Sequence, residues 1–156
     1  MAQYSFIPSS EVSDLTDDVR QVFEELAATL PDGRRAYSGE CQPPLDVVET
    51  AVAIEVVMDM AGVAPDAVRV LYRSGVLLIA GEKAQTVPRG AQAFHLIERE
   101  FGRFARGVRL NVAIDVGHGT ATIRDGELTI VLPKLADRRG DVHHIQVVSS
   151  ARPSPP

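Results

Sequence analysis

The spacing of apolar residues changes along the chain, and the first pattern has a helical period. Between Ser10 and Leu30, apolar residues recur three or four positions apart at Val12, Leu15, Val19, Val22, Phe23, Leu26 and Leu30. This spacing places all of them on one face of an α-helix. The pattern therefore predicts an amphipathic helix over about 10–30.

A linker is predicted after this helix, because residues 31–44 contain Pro, Gly and small polar residues without apolar periodicity. Periodicity alone leaves two arrangements open. The helix docks on the domain core, or it is an arm whose apolar face meets a partner helix or exposed apolar surface of another protein. The linker favours the second arrangement, an arm that binds other proteins through Val19, Val22, Phe23, Leu26 and Leu30.

After Pro44 the apolar period shortens to two, which is typical of β-strands. Residues 45–50 and 53–60 form two such runs, and residues 68–73 form a third. Ser74-Gly75 then leads into 76–80, a continuously apolar run that suits a buried central strand. Short strands separated by turn signals predict an all-β fold, an immunoglobulin-like β-sandwich.

A β-hairpin is predicted at residues 121–134. Two alternating runs meet at Asp125-Gly126, a dipeptide that readily supplies the positive φ angles of a two-residue turn. In the second run Leu128, Ile130 and Leu132 share one face, so this strand should lie over a core. Pro133 ends it.

Length, charge and cysteine content limit the possible functions. A chain of 156 residues holds one domain with terminal segments, and its single cysteine, Cys41, cannot form an intrachain disulfide. A net charge of −5 without a cluster of Lys and Arg argues against nucleic acid as the main partner. No basic leader or membrane-length apolar run is present, so we expect a cytoplasmic protein without a membrane partner.

The sequence offers no catalytic or metal-ligating constellation. His143 and His144 are adjacent in a polar tail, while His95 and His118 stand alone on predicted strands. Neither a nucleophile elbow, a glycine-rich phosphate loop nor a Cys-His arrangement occurs. We therefore expect no enzyme activity, no cofactor, no metal and no small-molecule substrate.

Three groups of residues resemble the small heat-shock proteins, the α-crystallin family. The hairpin carries Ala121, Asp125, Gly126 and Leu128, followed by Leu-Pro-Lys, in the spacing of that family's signature hairpin. Residues 59–83 and 98–110 are similar in order and spacing to the two halves of the α-crystallin domain. The resemblance divides the chain into an N-terminal arm at 1–43, the domain at 44–134 and a flexible C-terminal extension at 135–156.

The resemblance also implies roles for individual residues. A strand that crosses to the neighbouring subunit and lies beside its first strand would comprise Phe94, His95, Leu96, Ile97, Glu98 and Arg99, set against Asp46, Val47, Val48 and Glu49. Ile145 and Val147 match the family's tail anchor. The groove that receives this anchor would be formed by two strands, with Val68, Val70 and Tyr72 on one and Val116, His118 and Thr120 on the other. Arg106 matches a structural arginine of the dimer interface.

Two functions remain open on this fold. The resemblance implies an ATP-independent holdase that binds partly unfolded proteins and assembles as a homo-oligomer built from dimers. The alternative is an adaptor module on the same sandwich, similar to the co-chaperone adaptors of the CS-domain type, which usually lack the anchor and stay monomeric.

Overall fold

The computed structural model describes residues 16–29, 40–85 and 93–135. One α-helix and seven β-strands occur in these parts of the chain, together with two short 3₁₀-helices at Pro65–Ala67 and Val116–His118. Their bounds are α1 (Thr16–Thr29), β1 (Leu45–Glu49), β2 (Ala53–Asp59), β3 (Val68–Arg73), β4 (Val76–Lys83), β5 (Gly102–Arg109), β6 (Thr120–Arg124) and β7 (Glu127–Pro133).

The strands form two antiparallel sheets, one with the order β1-β2-β7-β6 and one with the order β3-β4-β5. On β2 and β7 the alternate apolar residues are buried and the residues between them are not, as the period of two predicts. Ile54 and Val56 of β2 pair with Leu132 and Ile130 of β7, so the pairs share the face that lies over the core. The predicted β-sandwich is confirmed.

Two tight turns set the register of the hairpins. Asp125 and Gly126 have φ angles of 52° and 82°, and Ser74 and Gly75 have φ angles of 51° and 80°. Positive φ at both central residues matches the right-handed twist of the flanking strands. The sequence therefore identified both turns correctly.

Strand β4 is buried on both of its faces. Val76, Leu77, Leu78, Ile79 and Ala80 are all at most 6% exposed. Alternation along a strand directs Leu77 and Ile79 to one face and the other three to the opposite face. One face packs in the sandwich core, and the other carries α1.

The described part of the N-terminal helix docks on the domain. Val22 and Leu26 are 3% and 1% exposed, and Val19 and Phe23 pack against the same core. This is the first of the two arrangements that periodicity left open, and it differs from the free arm that the linker composition favoured. Leu30, residues 10–15 and the anchor residues Ile145 and Val147 lie outside the described residues.

Candidate binding surfaces

The outer edge of β1 is one candidate surface. β1 pairs with β2 and is the terminal strand of its sheet, so no described strand pairs with its other side. It carries Asp46, Val47, Val48 and Glu49, of which Val48 is 49% exposed. Lys134 bonds to the carboxylate of Glu49 and, at 2.7 Å, to the carbonyl oxygen of Thr50, which fixes the end of the strand.

The segment predicted to cross to a partner, residues 94–99, forms no strand within the single chain. All its residues are exposed, including His95, Glu98 and Arg99, and its large apolar side chains are markedly so: Phe94 48%, Leu96 73% and Ile97 55%. His95 accordingly lies on irregular backbone in the single chain, and its place in an exchanged strand stays a prediction. An isolated strand has no ladder to stabilise it, so a strand here needs a second edge.

The other sheet ends in β3, which supplies one side of the predicted groove. Val70 pairs with Ile79 and Tyr72 with Leu77, so Val68, Val70 and Tyr72 lie on the inner face of their sheet. Val68 is buried, while Val70 and Tyr72 are half-buried because β3 is an edge strand. Apolar side chains are thus accessible along this edge, as the groove prediction requires.

The second side of the groove differs from the prediction. Val116 and His118 lie in a 3₁₀-helix rather than on a strand, and Thr120 starts β6. Thr120 pairs with Val131 on the outer face, whereas Ala121 and Ile123 pair with the buried Ile130 and Leu128. Ala121 and Ile123 are therefore the residues of β6 that face the inner layer. Their distance in sequence from Leu128, across the predicted hairpin turn, could have revealed this orientation.

The 3₁₀-helix carries an ion-pair geometry that sequence reasoning missed. His118 Nδ1 lies 2.7 Å from Asp115 Oδ2, and the His118 side chain is 80% exposed. The spacing of three residues brings the two side chains to the same side of one helical turn. Val116, 46% exposed, lies between them in sequence and adds an apolar contact point.

Arg106 lies on β5 opposite Ile79, on the inner face of its sheet. Its Nη1 donates a hydrogen bond to the carbonyl oxygen of Pro43, which precedes β1. Desolvation by burial lowers the pKa of this guanidinium. The prediction that an arginine among apolar neighbours needs a partner agrees with this contact, whereas its role in a dimer interface stays a prediction.

The signature hairpin is held against the loop that follows β2. The Met60 N–H donates to the carbonyl oxygen of Gly126 at 2.7 Å, and Leu128 is 2% exposed. A Cβ on Gly126 would lie 3.3 Å from the Cα of Ala61. Both the positive φ of the turn and this close approach favour glycine at position 126.

A polar cleft of about 550 Å³ lies beside this hairpin, lined by Cys41, Asp59, Lys83, Glu100, Asp125 and Glu127 among others. Burial raises the pKa of the Cys41 thiol, which donates to the carbonyl oxygen of Gly102 at 3.4 Å. Within residues 16–29, 40–85 and 93–135, no three His, Cys, Asp or Glu side chains are placed to hold a metal ion. Over the same residues, no helix has the length and apolar character needed to span a membrane.

The sequence profile of the Hsp20/alpha crystallin family matches residues 46–148. Small heat shock protein C4 of Rickettsia felis is 32% identical over 118 residues, which cover 76% of this chain and 72% of that protein. Heat shock protein 16 of Schizosaccharomyces pombe is 31% identical over 121 residues, 75% of this chain and 83% of that protein.

Solved structures resemble the fold at a similar level of sequence identity. Heat shock protein 16.0 from Schizosaccharomyces pombe superposes with a TM-score of 0.57 at 30% identity, covering 70% of this chain and 99% of the other. A small heat-shock protein from Xylella fastidiosa, described as having a distinct high order structure, gives 0.59 at 30% identity, with coverages of 70% and 98%.

Proposed function

This chain belongs to the Hsp20/alpha crystallin family, and we propose that it is an ATP-independent chaperone that binds partly unfolded proteins and prevents their aggregation. Family membership supports the chaperone role. The observation that carries the proposed assembly is the run of exposed apolar side chains in residues 94–97, close in sequence to β5 and separate from the buried core. Exposed apolar surface of this kind marks an interaction site.

A dimer is the first assembly step in this proposal. Residues 94–99 of one subunit would add as a strand to the outer edge of β1 in the other, at Asp46, Val47, Val48 and Glu49. Strand addition would supply main-chain hydrogen bonds along an edge that has no neighbouring strand, and it would cover Phe94, Leu96 and Ile97. The single cysteine of the chain fits the cytoplasmic location that we also propose.

Larger assemblies would form through the C-terminal extension. Ile145 and Val147 of one subunit would enter the groove between the edges β3 and β6 of another, beside Val70, Tyr72 and Ala121. Full burial of each aliphatic side chain is worth roughly 1.5–3 kcal/mol before the ordering of the tail is subtracted. One anchor is thus weak and exchanges, while several anchors on one particle hold it together.

The adaptor alternative uses the same sandwich but binds one defined partner as a monomer. No described contact favours it over the chaperone. Its exposed apolar segment would then stay uncovered in the free protein, which is unfavourable for a monomer in water. Native mass separates the two functions.

We would measure native mass and suppression of aggregation of a heat-labile protein, without ATP, for the full chain and for two truncations. One truncation ends at Gly140 and lacks the anchor; the matched control ends at Val148 and keeps it. We expect a large assembly for the parent and the control, dimers for the anchor-free chain, and suppression by the parent. Monomers that give no protection would instead support the adaptor.

A further inference from the structure

Helix α1 packs on the outer face of the sheet β3-β4-β5, mainly over β4, while Leu71 on β3 stays 40% exposed. Arg73 of β3 bonds to Asp18, and the Arg103 guanidinium of β5 lies 5.0 Å from the centre of the Phe23 ring. The pairing of the strands shows which other residues lie on the same face as the two arginines. We call it the helix-binding face, and it comprises Leu71, Val76, Leu78, Ala80, Ala105 and Gly107.

The shape of the helix-binding face suits an α-helix. Leu78 stands at its centre, between Leu71 on β3 and Gly107 on β5. The small residues Ala80, Ala105 and Gly107 leave space along one side, so a helix backbone can approach closely. Leu26, at 1% exposed, is the most deeply buried residue of α1.

Charge sets which helices the face accepts. Four arginines lie at the rim of this face: Arg69, Arg73, Arg103 and Arg109. The ladder places the acidic residue Glu82 on the same face, where its carboxylate is 3.9 Å from the Arg103 side chain. The described helix α1 carries four acidic residues and one basic residue, Arg20. An acidic amphipathic helix is therefore complementary to the face, and a basic one is repelled.

The contact between α1 and the face is suited to exchange. Two side chains, Val22 and Leu26, are buried, and the ion pair between Asp18 and Arg73 has one partner that is 69% exposed. Exposed ion pairs stabilise a contact only slightly. Other acidic amphipathic helices can therefore compete with α1. The face binds such a helix only while α1 is displaced.

We propose that the helix-binding face is a docking site for acidic amphipathic helices of client proteins, and that α1 occupies it in the absence of a client. This inference rests on the proposed chaperone function and deepens it. Release of α1 would expose two apolar surfaces at once, the face itself and the stripe of Val22 and Leu26. The sheet face thus selects helical segments, whereas edge strands select extended ones.

The test uses the full chain and a dye-labelled helical peptide of 14 residues, the length of α1. The peptide keeps only the residues equivalent to Asp18, Val22 and Leu26, with Ala and Glu elsewhere. A second peptide replaces its acidic residues by Lys. We expect the parent to bind the acidic peptide weakly and the basic peptide at least about tenfold more weakly.

Two matched variants test the competition with α1. Asp18→Ala removes the contact to Arg73 and should tighten binding of the acidic peptide about threefold, because α1 is displaced more often. Asp17→Ala removes the same charge from a side chain that is 92% exposed and pairs with Arg20 inside the helix. We expect its peptide affinity to equal that of the parent. Equal affinities of Asp18→Ala and the parent would overturn the proposal.

A charge exchange tests the face without altering the core. Arg73→Asp should bind a peptide with Arg at the position equivalent to Asp18 more tightly than the original acidic peptide. Indifference of this variant to the exchanged charge would place the peptide elsewhere and overturn the proposal. The proposal would also be overturned if a peptide with the natural α1 sequence binds and the designed peptide does not. The face would then accept only a second copy of this chain.

The same variants separate this inference from the chaperone function. Peptide binding with the expected pattern, without suppression of aggregation by any variant, would contradict the chaperone and leave the docking site standing. Suppression of aggregation without peptide binding would contradict only the docking site.

Discussion

Arg106 on β5 donates a hydrogen bond to the carbonyl oxygen of Pro43, 63 residues earlier in the chain. The residues just before β1 also lie along β5, since the Cys41 N–H donates to the carbonyl oxygen of Arg103 at 3.0 Å. The entrance to β1 is therefore attached to the opposite sheet. Any partner that adds to the edge of β1 meets a strand whose start is already fixed.

Arg106→Ala should lower the free energy of unfolding by about 2 kcal/mol, because Pro43 loses a donor that carries charge. Urea unfolding measures the change. The matched control is Arg109→Ala, since Arg109 is exposed on the same strand. If Arg106→Ala changes native mass but leaves the urea midpoint where it is in the parent, the arginine acts between subunits and the intrachain bond contributes little.

Cys41 should make stability sensitive to alkaline pH. Burial raises the pKa of its thiol above the ordinary value of 9.0. A raised folded-state pKa stabilises the fold below the unfolded-state pKa, and this contribution is lost as pH rises through the folded-state pKa. We expect the urea midpoint of the parent to fall further between about pH 8 and about pH 10.5 than that of Cys41→Ala. Parallel pH profiles for the two proteins would contradict this.

Gly126→Ala should destabilise the domain by about 1–2 kcal/mol, because φ at this position is positive. The added Cβ would also meet the backbone of Ala61. Gly117→Ala is the control, since its Cβ would meet only the flexible Asp115 side chain, at 3.4 Å. Thermal unfolding of both variants is the measurement, and equal midpoints would show that the turn adapts.

Leu96→Pro should weaken the proposed dimer, because proline removes a backbone donor from the strand that would add to β1. We expect a concentration-dependent fall in native mass by light scattering. Ala93→Pro, placed just before the proposed strand, serves as the control and should keep the parent mass. An unchanged mass for Leu96→Pro would exclude residues 94–99 from a backbone ladder.

The double variant Ile145→Ser, Val147→Ser should reduce the particle to dimers, because each anchor would lose its apolar side chains. Val142→Ser, in the same tail, is the control and should keep the parent assembly. Native mass spectrometry distinguishes the two. Retention of the parent mass by the double variant would show that the tail anchor is not needed.

Strands β1 to β4 and the hairpin of β6 and β7 were predictable from the sequence because each has a local signal. Alternation identified the buried face of β2 and β7, and the dipeptides Ser74-Gly75 and Asp125-Gly126 identified two turns. These signals depend on residues that are neighbours in the chain. They are therefore independent of how the two sheets meet.

The helix contact and the second side of the groove were not predictable in the same way. The period of α1 reveals an apolar stripe, but a stripe fits a sheet and a partner protein equally well. The docking also needs a sheet face of matching shape, and only the ladder between β4 and β5 brings Gly107 and Ala105 beside Leu78 and Ala80. Likewise, Val116–His118 contains no residue that strongly opposes a strand apart from glycine. It was therefore predicted as part of a strand, whereas it forms a 3₁₀-helix.

The pairing of β2 with β7 also affects the protein during its synthesis. Ala53 of β2 lies opposite Pro133 of β7, so the central ladder of the larger sheet joins segments near the two ends of the domain. On the ribosome, β2 emerges long before its partner strand, and its apolar face waits uncovered for the rest of the domain. Each nascent copy of this chain is therefore briefly the kind of polypeptide that its finished copies are proposed to bind.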